Sequence, residues 1–122
     1  MADASVGGKT GINNLYGKNQ LGVINDPFRI IICTQFLLSL DKRNFLNGIA
    51  EIIKIAACFD RKLFERLEKV NYNTLQSNEL LEIIKSAINL KLSIVTEDKY
   101  EQNIRKILNY GHTIGHAVEF AS

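Results

Sequence analysis

Tryptophan is absent from this 122-residue chain, proline occurs once, and histidine and cysteine occur twice each. Each scarcity excludes something. Cys33 and Cys58 are isolated in apolar stretches, with no CxxC and no paired spacing, so neither a disulfide framework nor a dithiol redox motif is present. A reduced, cytoplasmic setting is the expectation. A net charge of +2 gives no basis for a nucleic-acid partner or an anionic membrane surface. No apolar run approaches the roughly 20 residues that span a bilayer. "MADASVGGKTG" lacks the apolar centre of a signal peptide. There is no repeat and no low-complexity tract. What remains is 46% hydrophobic and 23% charged, the composition of a globular unit with one modest core. The front is polar and glycine-rich from residue 3, and reads as cut from a longer sequence, with Met1 a supplied start.

Residues 3–27 hold five of the eight glycines and the only proline, Pro27, which predicts loops with short extended pieces. "FRIIICTQFLL" (28–38) opens on β-branched apolar residues and predicts a short buried strand. From about residue 42 the period becomes helical. Phe45, Ile49, Ile52, Ile53 and Ala56 share one side, with Asn47, Glu51 and Lys54 opposite. Asp60 is placed to N-cap "RKLFERLEK", and Ser77 or Asn78 to cap the helix after it. That helix carries a stripe of Leu80, Ile84, Ala87, Ile88 and Leu92. "VTEDKYEQN" breaks the pattern, and a last helix carries Ile104, Leu108, His112 and His116. The expected fold is mainly α with a short extended N-terminal part: a glycine-rich front, then four helices.

Both histidines lie in "LNYGHTIGHAVE", four residues apart. On a helix that spacing puts two imidazoles on one face, where they can grip a divalent ion, act as an acid/base pair, or simply be satisfied polar residues. Gly111 and Gly115 would each cost the same helix about 1 kcal/mol relative to alanine, which suggests that something packs closely there. A catalytic zinc needs a third protein ligand, and no histidine remains. Glu51 is a candidate, since an unpaired carboxylate in an otherwise apolar helix is costly to bury. The competing reading is a solvent-facing Glu51 paired with Lys54.

"DASVGGKTG" contains GKT, but a phosphate-binding P-loop would need glycine where Asp3 stands, so that reading fails. Lys9 and Lys18 each follow a glycine, with Asn13, Asn14 and Asn19 nearby. Such a loop lets backbone amides approach a ligand and lysines meet a phosphate; a solvated loop is the plain alternative.

Taken together, "DASVGGKTGIN", "GKNQLG", "NGIAEIIK", "KLSIVTED" and "RKILNYGHTIGHAVE", in that order, resemble the 3-dehydroquinate synthase family of sugar-phosphate cyclases over the whole chain. The resemblance implies an enzyme with an N-terminal α/β nucleotide-binding domain and a C-terminal helical domain, with the active site between them. Residues 1–41 would be the tail of the first domain and 42–122 the start of the second. It implies NAD and a divalent metal, zinc or cobalt, and a homodimeric parent. The implied reaction turns a seven-carbon phosphorylated keto acid into 3-dehydroquinate with loss of phosphate, in the shikimate pathway of aromatic amino acid biosynthesis.

By motif, Glu51 and His112 look like metal ligands, with a third ligand beyond Ser122. His116 looks like the second histidine that assists proton transfer. Asp3, Lys9, Lys54, Arg105 and Asn109 match positions that hold the substrate's hydroxyls, carboxylate and phosphate. Lys91 matches a lysine near the leaving phosphate. Lys18 and Asn19 match the junction of substrate and nicotinamide. Phe36, Leu37, Leu38 and Ser39 match a stretch on the adenosine side of the cofactor, and Lys9 is shared with it. "SLDKRN" departs from the family's "TLPxRE", which puts the local cofactor contacts in doubt, and the loop before "SNELLEIIKSAI" is short. Sister cyclases, such as 2-deoxy-scyllo-inosose synthase, are the alternative enzyme. An inactive helical piece is the alternative for the isolated chain. Arg105 and Asn109 favour a carboxylate-bearing substrate.

Overall fold

The computed structural model describes residues 3–72, 74–112, 115 and 118, except for the side chain of Lys18. His116 lies outside the described residues. The order is β1 (Ile12–Asn14), β2 (Gly17–Leu21), a 3₁₀ helix (Thr34–Ser39), α1 (Lys42–Phe59), α2 (Arg61–Glu68), α3 (Ser77–Glu97) and a second 3₁₀ helix (Ile104–Asn109). The protein is mainly helical with one small antiparallel sheet.

The hairpin follows from its turn chemistry. The Asn14 carboxamide oxygen accepts the amides of Tyr16 (2.8 Å) and Gly17 (3.1 Å), an Asx turn that reverses the chain. Ile12 pairs with Leu21 and Asn14 with Gly17, with an irregularity between them. There Asn19 adopts φ 57°, and its amide donates to the Asn13 side chain at 2.9 Å. The ladder continues through Thr10 and Val23 and through Asn25 and Gly8.

The three α-helices form the core. Asp41 caps α1 through the amide of Asn44, and Asp60 caps α2 through that of Leu63 at 3.0 Å. Ile49, Ile52 and Ala56 of α1 meet Ile83, Ile84, Ala87 and Ile88 of α3, and α2 closes the end with Leu63 and Leu67. Each fully buried isoleucine contributes about 1.5–3 kcal/mol. Val6 plugs the front loop into this cluster. A second cluster joins Ile55 and Ile94 to Leu108.

Four sequence expectations are corrected. Residues 28–33 form no strand: Ile31 is 83% exposed, and no described strand lies beside it to satisfy its backbone. The cap of α3 is Gln76, without a side-chain bond, rather than Ser77 or Asn78. Leu92 leaves the apolar stripe, which continues through Ile94 and Val95 instead. Finally, one helix does not run from Ile104 to His116. The 3₁₀ helix ends at Asn109, and Gly111 takes φ +77° before helical backbone resumes at His112. Gly111 serves this break. Among the described residues, nothing lies within 4 Å of a Cβ placed there or at Gly115, so packing against them is not the reason for either glycine. Both cysteines are free thiols, Cys33 exposed and Cys58 half-buried.

Candidate active-site cleft

Between the front loop, the polar side of α1, the middle of α3 and the second 3₁₀ helix lies an open cleft of about 590 Å³. Asn47, Glu51 and Lys54 face it because the apolar side of α1 is committed to the core. Four cations line it (Lys9, Lys54, Lys91 and Arg105) against three carboxylates, Asp3, Glu51 and Glu101. The cleft is therefore net positive, which suits an anionic ligand.

One group of side chains is Glu51, Lys54 and His112. The Lys54 ammonium donates to Glu51 Oε2 at 2.6 Å and stands 3.1 Å from His112 Nε2. Glu51 Oε1 is 3.6 Å from the same nitrogen. The pairing expected of a solvent-facing Glu51 is thus present, yet it sits in the cleft beside an imidazole. An ammonium only donates, so this contact requires the tautomer in which Nε2 is the acceptor, and a metal ligand requires the same one. Two ligand atoms on a tetrahedral zinc, each about 2.0–2.2 Å away, lie roughly 3.4 Å apart. The Glu51–His112 separation matches that edge, so the pair fits two positions of such a site. Among the described residues no third His, Cys, Asp or Glu joins them.

At the other end, Lys91 reaches from α3 to the front loop, donating to the Asp3 carboxylate at 2.7 Å and its carbonyl at 2.9 Å. Lys9 pairs with Glu101, whose other oxygen accepts from Asn109 Nδ2 at 2.5 Å. Burial acts to raise the Glu101 carboxyl, but the hydrogen bonds from Lys9 and Asn109 and the charge of Lys9 outweigh it and hold it below the usual range. Arg105 is 2% exposed. Its guanidinium donates to the carbonyls of Gly7 (2.7 Å) and Lys99 (2.5 Å), so two of its five N–H groups hold backbone in place. A Cβ at Gly7 would come within 2.5 Å of that guanidinium, which is why glycine is needed there.

The cleft therefore gathers Asp3, Lys9, Lys54 and Lys91 with Arg105 and Asn109, and adds Glu51 and His112. Asn19 does not line it, and Lys18 lies in β2. Phe36 to Ser39 form the first 3₁₀ helix, away from the cleft. There Phe36 and Leu38 are exposed, and Leu37 lines a small apolar groove with Leu40, Phe45 and Ile84. Sequence reasoning missed Glu101 and the flanking Asn44 and Asn47. Glu101 was legible only as a carboxylate four residues before Arg105. Its φ of 58°, which turns it inward, has no signature in a glutamate.

A carboxylate and an imidazole at a metal's ligand spacing, beside lysines and an arginine in one polar cleft, could serve metal-assisted chemistry on a small anionic molecule. Residues 48–122 match the 3-dehydroquinate synthase C-terminal family and residues 1–47 the 3-dehydroquinate synthase N-terminal family. The chain belongs to the 3-dehydroquinate synthase family. The 3-dehydroquinate synthase of Helicobacter pylori is 52% identical over 117 residues, covering 96% of this chain and 33% of the relative. That of Sulfurimonas denitrificans is 51% identical over 118 residues, with the same coverage of 96% and 33%. The chain thus spans about a third of the length of these relatives. Among solved structures, the 2-epi-5-epi-valiolone synthase ValA of Streptomyces hygroscopicus, with NAD+ and Zn2+ bound, superposes with a TM-score of 0.85. It is 32% identical, over 97% of this chain and 34% of that one.

Proposed function

We propose that this chain is the central part of a 3-dehydroquinate synthase, which converts 3-deoxy-D-arabino-heptulosonate 7-phosphate to 3-dehydroquinate with elimination of phosphate. The observation that carries the reading is convergence. Residues from four separate stretches of sequence, matched to the family by motif alone, line one net-positive cleft. The front loop would close a nucleotide-binding domain, and α1 would open the helical domain. In the parent, a divalent ion held by Glu51 and His112 would supply Lewis acidity at a ring hydroxyl, and NAD a reversible hydride acceptor.

The remaining roles belong to this chain's own side chains. Lys91, fixed against Asp3, and Lys9, fixed against Glu101, offset the charge of a departing phosphate. Asn109 and the unused N–H groups of Arg105 suit the substrate's carboxylate and hydroxyls. Lys54, bonded to Glu51 and close to His112, neutralises the carboxylate. Lys18, Asn19 and the exposed Phe36–Leu38 edge would meet the cofactor, and His116 would move a proton near the substrate. Holding one molecule through several steps makes positioning the main contribution.

Full-length protein incubated with the keto acid phosphate, NAD and zinc tests the reading, with release of phosphate and dehydroquinate as the readout. Glu51→Ala and His112→Ala should each lower kcat/KM by more than about 100-fold and reduce bound zinc. The likeness to ValA favours a second reading, a sister cyclase acting on a sugar phosphate without a carboxylate. Turnover of glucose 6-phosphate, and none of the keto acid, would select it.

A further inference from the structure

Asp98 lies outside the cleft lining, at the C-terminal end of α3, and is 7% exposed. Its carboxylate accepts three backbone amides: Gln102 at 2.8 Å, Asn103 at 2.6 Å and Arg105 at 3.1 Å. Its carbonyl accepts a fourth, from Glu101 at 3.3 Å. The segment from 99 to 103 is irregular and leads into the second 3₁₀ helix, so these bonds stand in for a helix or ladder and fix its course.

What this segment carries is unusual for a surface corner. Glu101, at φ 58°, takes Lys9 and Asn109; the Arg105 guanidinium takes the carbonyl of Gly7; and Lys99 takes Asp26 at 2.5 Å. Three polar ties from the glycine-rich front to the helical layer therefore land on the corner that Asp98 shapes. A buried carboxylate with three charge-assisted bonds is a rigid anchor. Only a carboxylate fits: an asparagine has one acceptor oxygen and turns a donor toward the amides that need an acceptor.

We propose that Asp98 is a positioning residue of the substrate site, which places Glu101 and the Arg105 guanidinium so that Lys9, Asn109 and the front loop meet the substrate in register. It acts through these residues and touches no reacting atom.

The inference rests on the cyclase reading, and the two fail differently. Wild-type full-length enzyme without turnover of the keto acid phosphate removes that reading. With turnover established, Asp98→Asn should raise KM for that substrate about tenfold while zinc content stays at the wild-type value, because the bonds of this corner run to Lys9, Asn109, Gly7 and Asp26 rather than to Glu51. Asp98→Asn combined with Glu101→Gln should raise KM by clearly less than the product of the two single effects, since the first acts through the second. If Asp98→Asn does not melt cooperatively, the same cycle is run with Asp98→Glu, which keeps the charge but moves it by one methylene. A KM within about twofold of wild type at a lowered Tm, or fully multiplicative effects, would reduce Asp98 to a fold stabiliser and overturn the proposal.

Discussion

Single residues in and beside this cleft depend on particular partners or backbone conformations, so their replacement has identifiable effects. Gly111 is the clearest backbone case. At φ +77° and with none of the described residues within 4 Å of an added Cβ, alanine costs chiefly the left-handed conformation, about 1–2 kcal/mol. Gly111→Ala should lower the melting temperature of the full-length enzyme and, by shifting the adjacent His112, weaken zinc binding. Gly111→Asn should recover part of both, because asparagine tolerates that region. Charge gives a second test. Burial acts to raise the Asp98 carboxyl, but the amides of Gln102, Asn103 and Arg105, with the Arg105 charge, hold it below its ordinary value. A depressed native value means that its stabilisation is present above the unfolded value of about 4 and is lost as pH falls through the native one. Asp98→Asn should therefore melt below wild type at pH 7. The gap should close on acidification below about pH 4, as followed by circular dichroism.

At the scale of elements, what was legible followed from local rules. The 3.6-residue period located α1, α2 and α3, and Asp60 announced its helix because capping is a short-range bond. Elements whose existence depends on a neighbour were not legible. "RIIIC" reads as a strand by composition, yet without an adjacent strand the same residues stay irregular and lead into a 3₁₀ turn. The break at Gly111 escaped notice because a glycine between apolar positions does not disturb the period. Eight positions matched by motif line the cleft and Asn19 and Phe36–Ser39 do not, whereas Glu101 and Asp98 are defined by loop bonds that no spacing encodes. The packing of the helices can be checked directly. Ile52→Ala or Ile83→Ala, each removing a fully buried side chain, should cost about 2–5 kcal/mol in urea unfolding. Leu92→Ala, at 40% exposure on the same helix as Ile83, should stay near 0.5 kcal/mol.

For the molecule as a whole, the cleft and the front pull in different directions. The helical layer has a closed core, but the front leaves Leu15 at 100%, Phe28 at 99% and Ile31 at 83% exposure. Large apolar side chains so exposed in one segment favour association. The 122-residue chain by itself should elute in size-exclusion chromatography above the monomer position, in a concentration-dependent way, and Phe28→Ser with Ile31→Lys should return it toward monomer. Its chemistry should be missing as well. On the proposed reading, Glu51 and His112 fall short of the three protein ligands that a catalytic zinc site uses, and the ring hydroxyl would lack Lewis-acid assistance. On the same reading, lysines poised for phosphate would not start an elimination that awaits prior oxidation of the ring. Residues 1–122 with NAD, zinc and the seven-carbon keto acid phosphate should thus release no phosphate above the uncatalysed rate. Release at a rate dependent on His112 would show that this third of the enzyme's length builds a working site alone, and that self-association or His116 completes the metal's ligands.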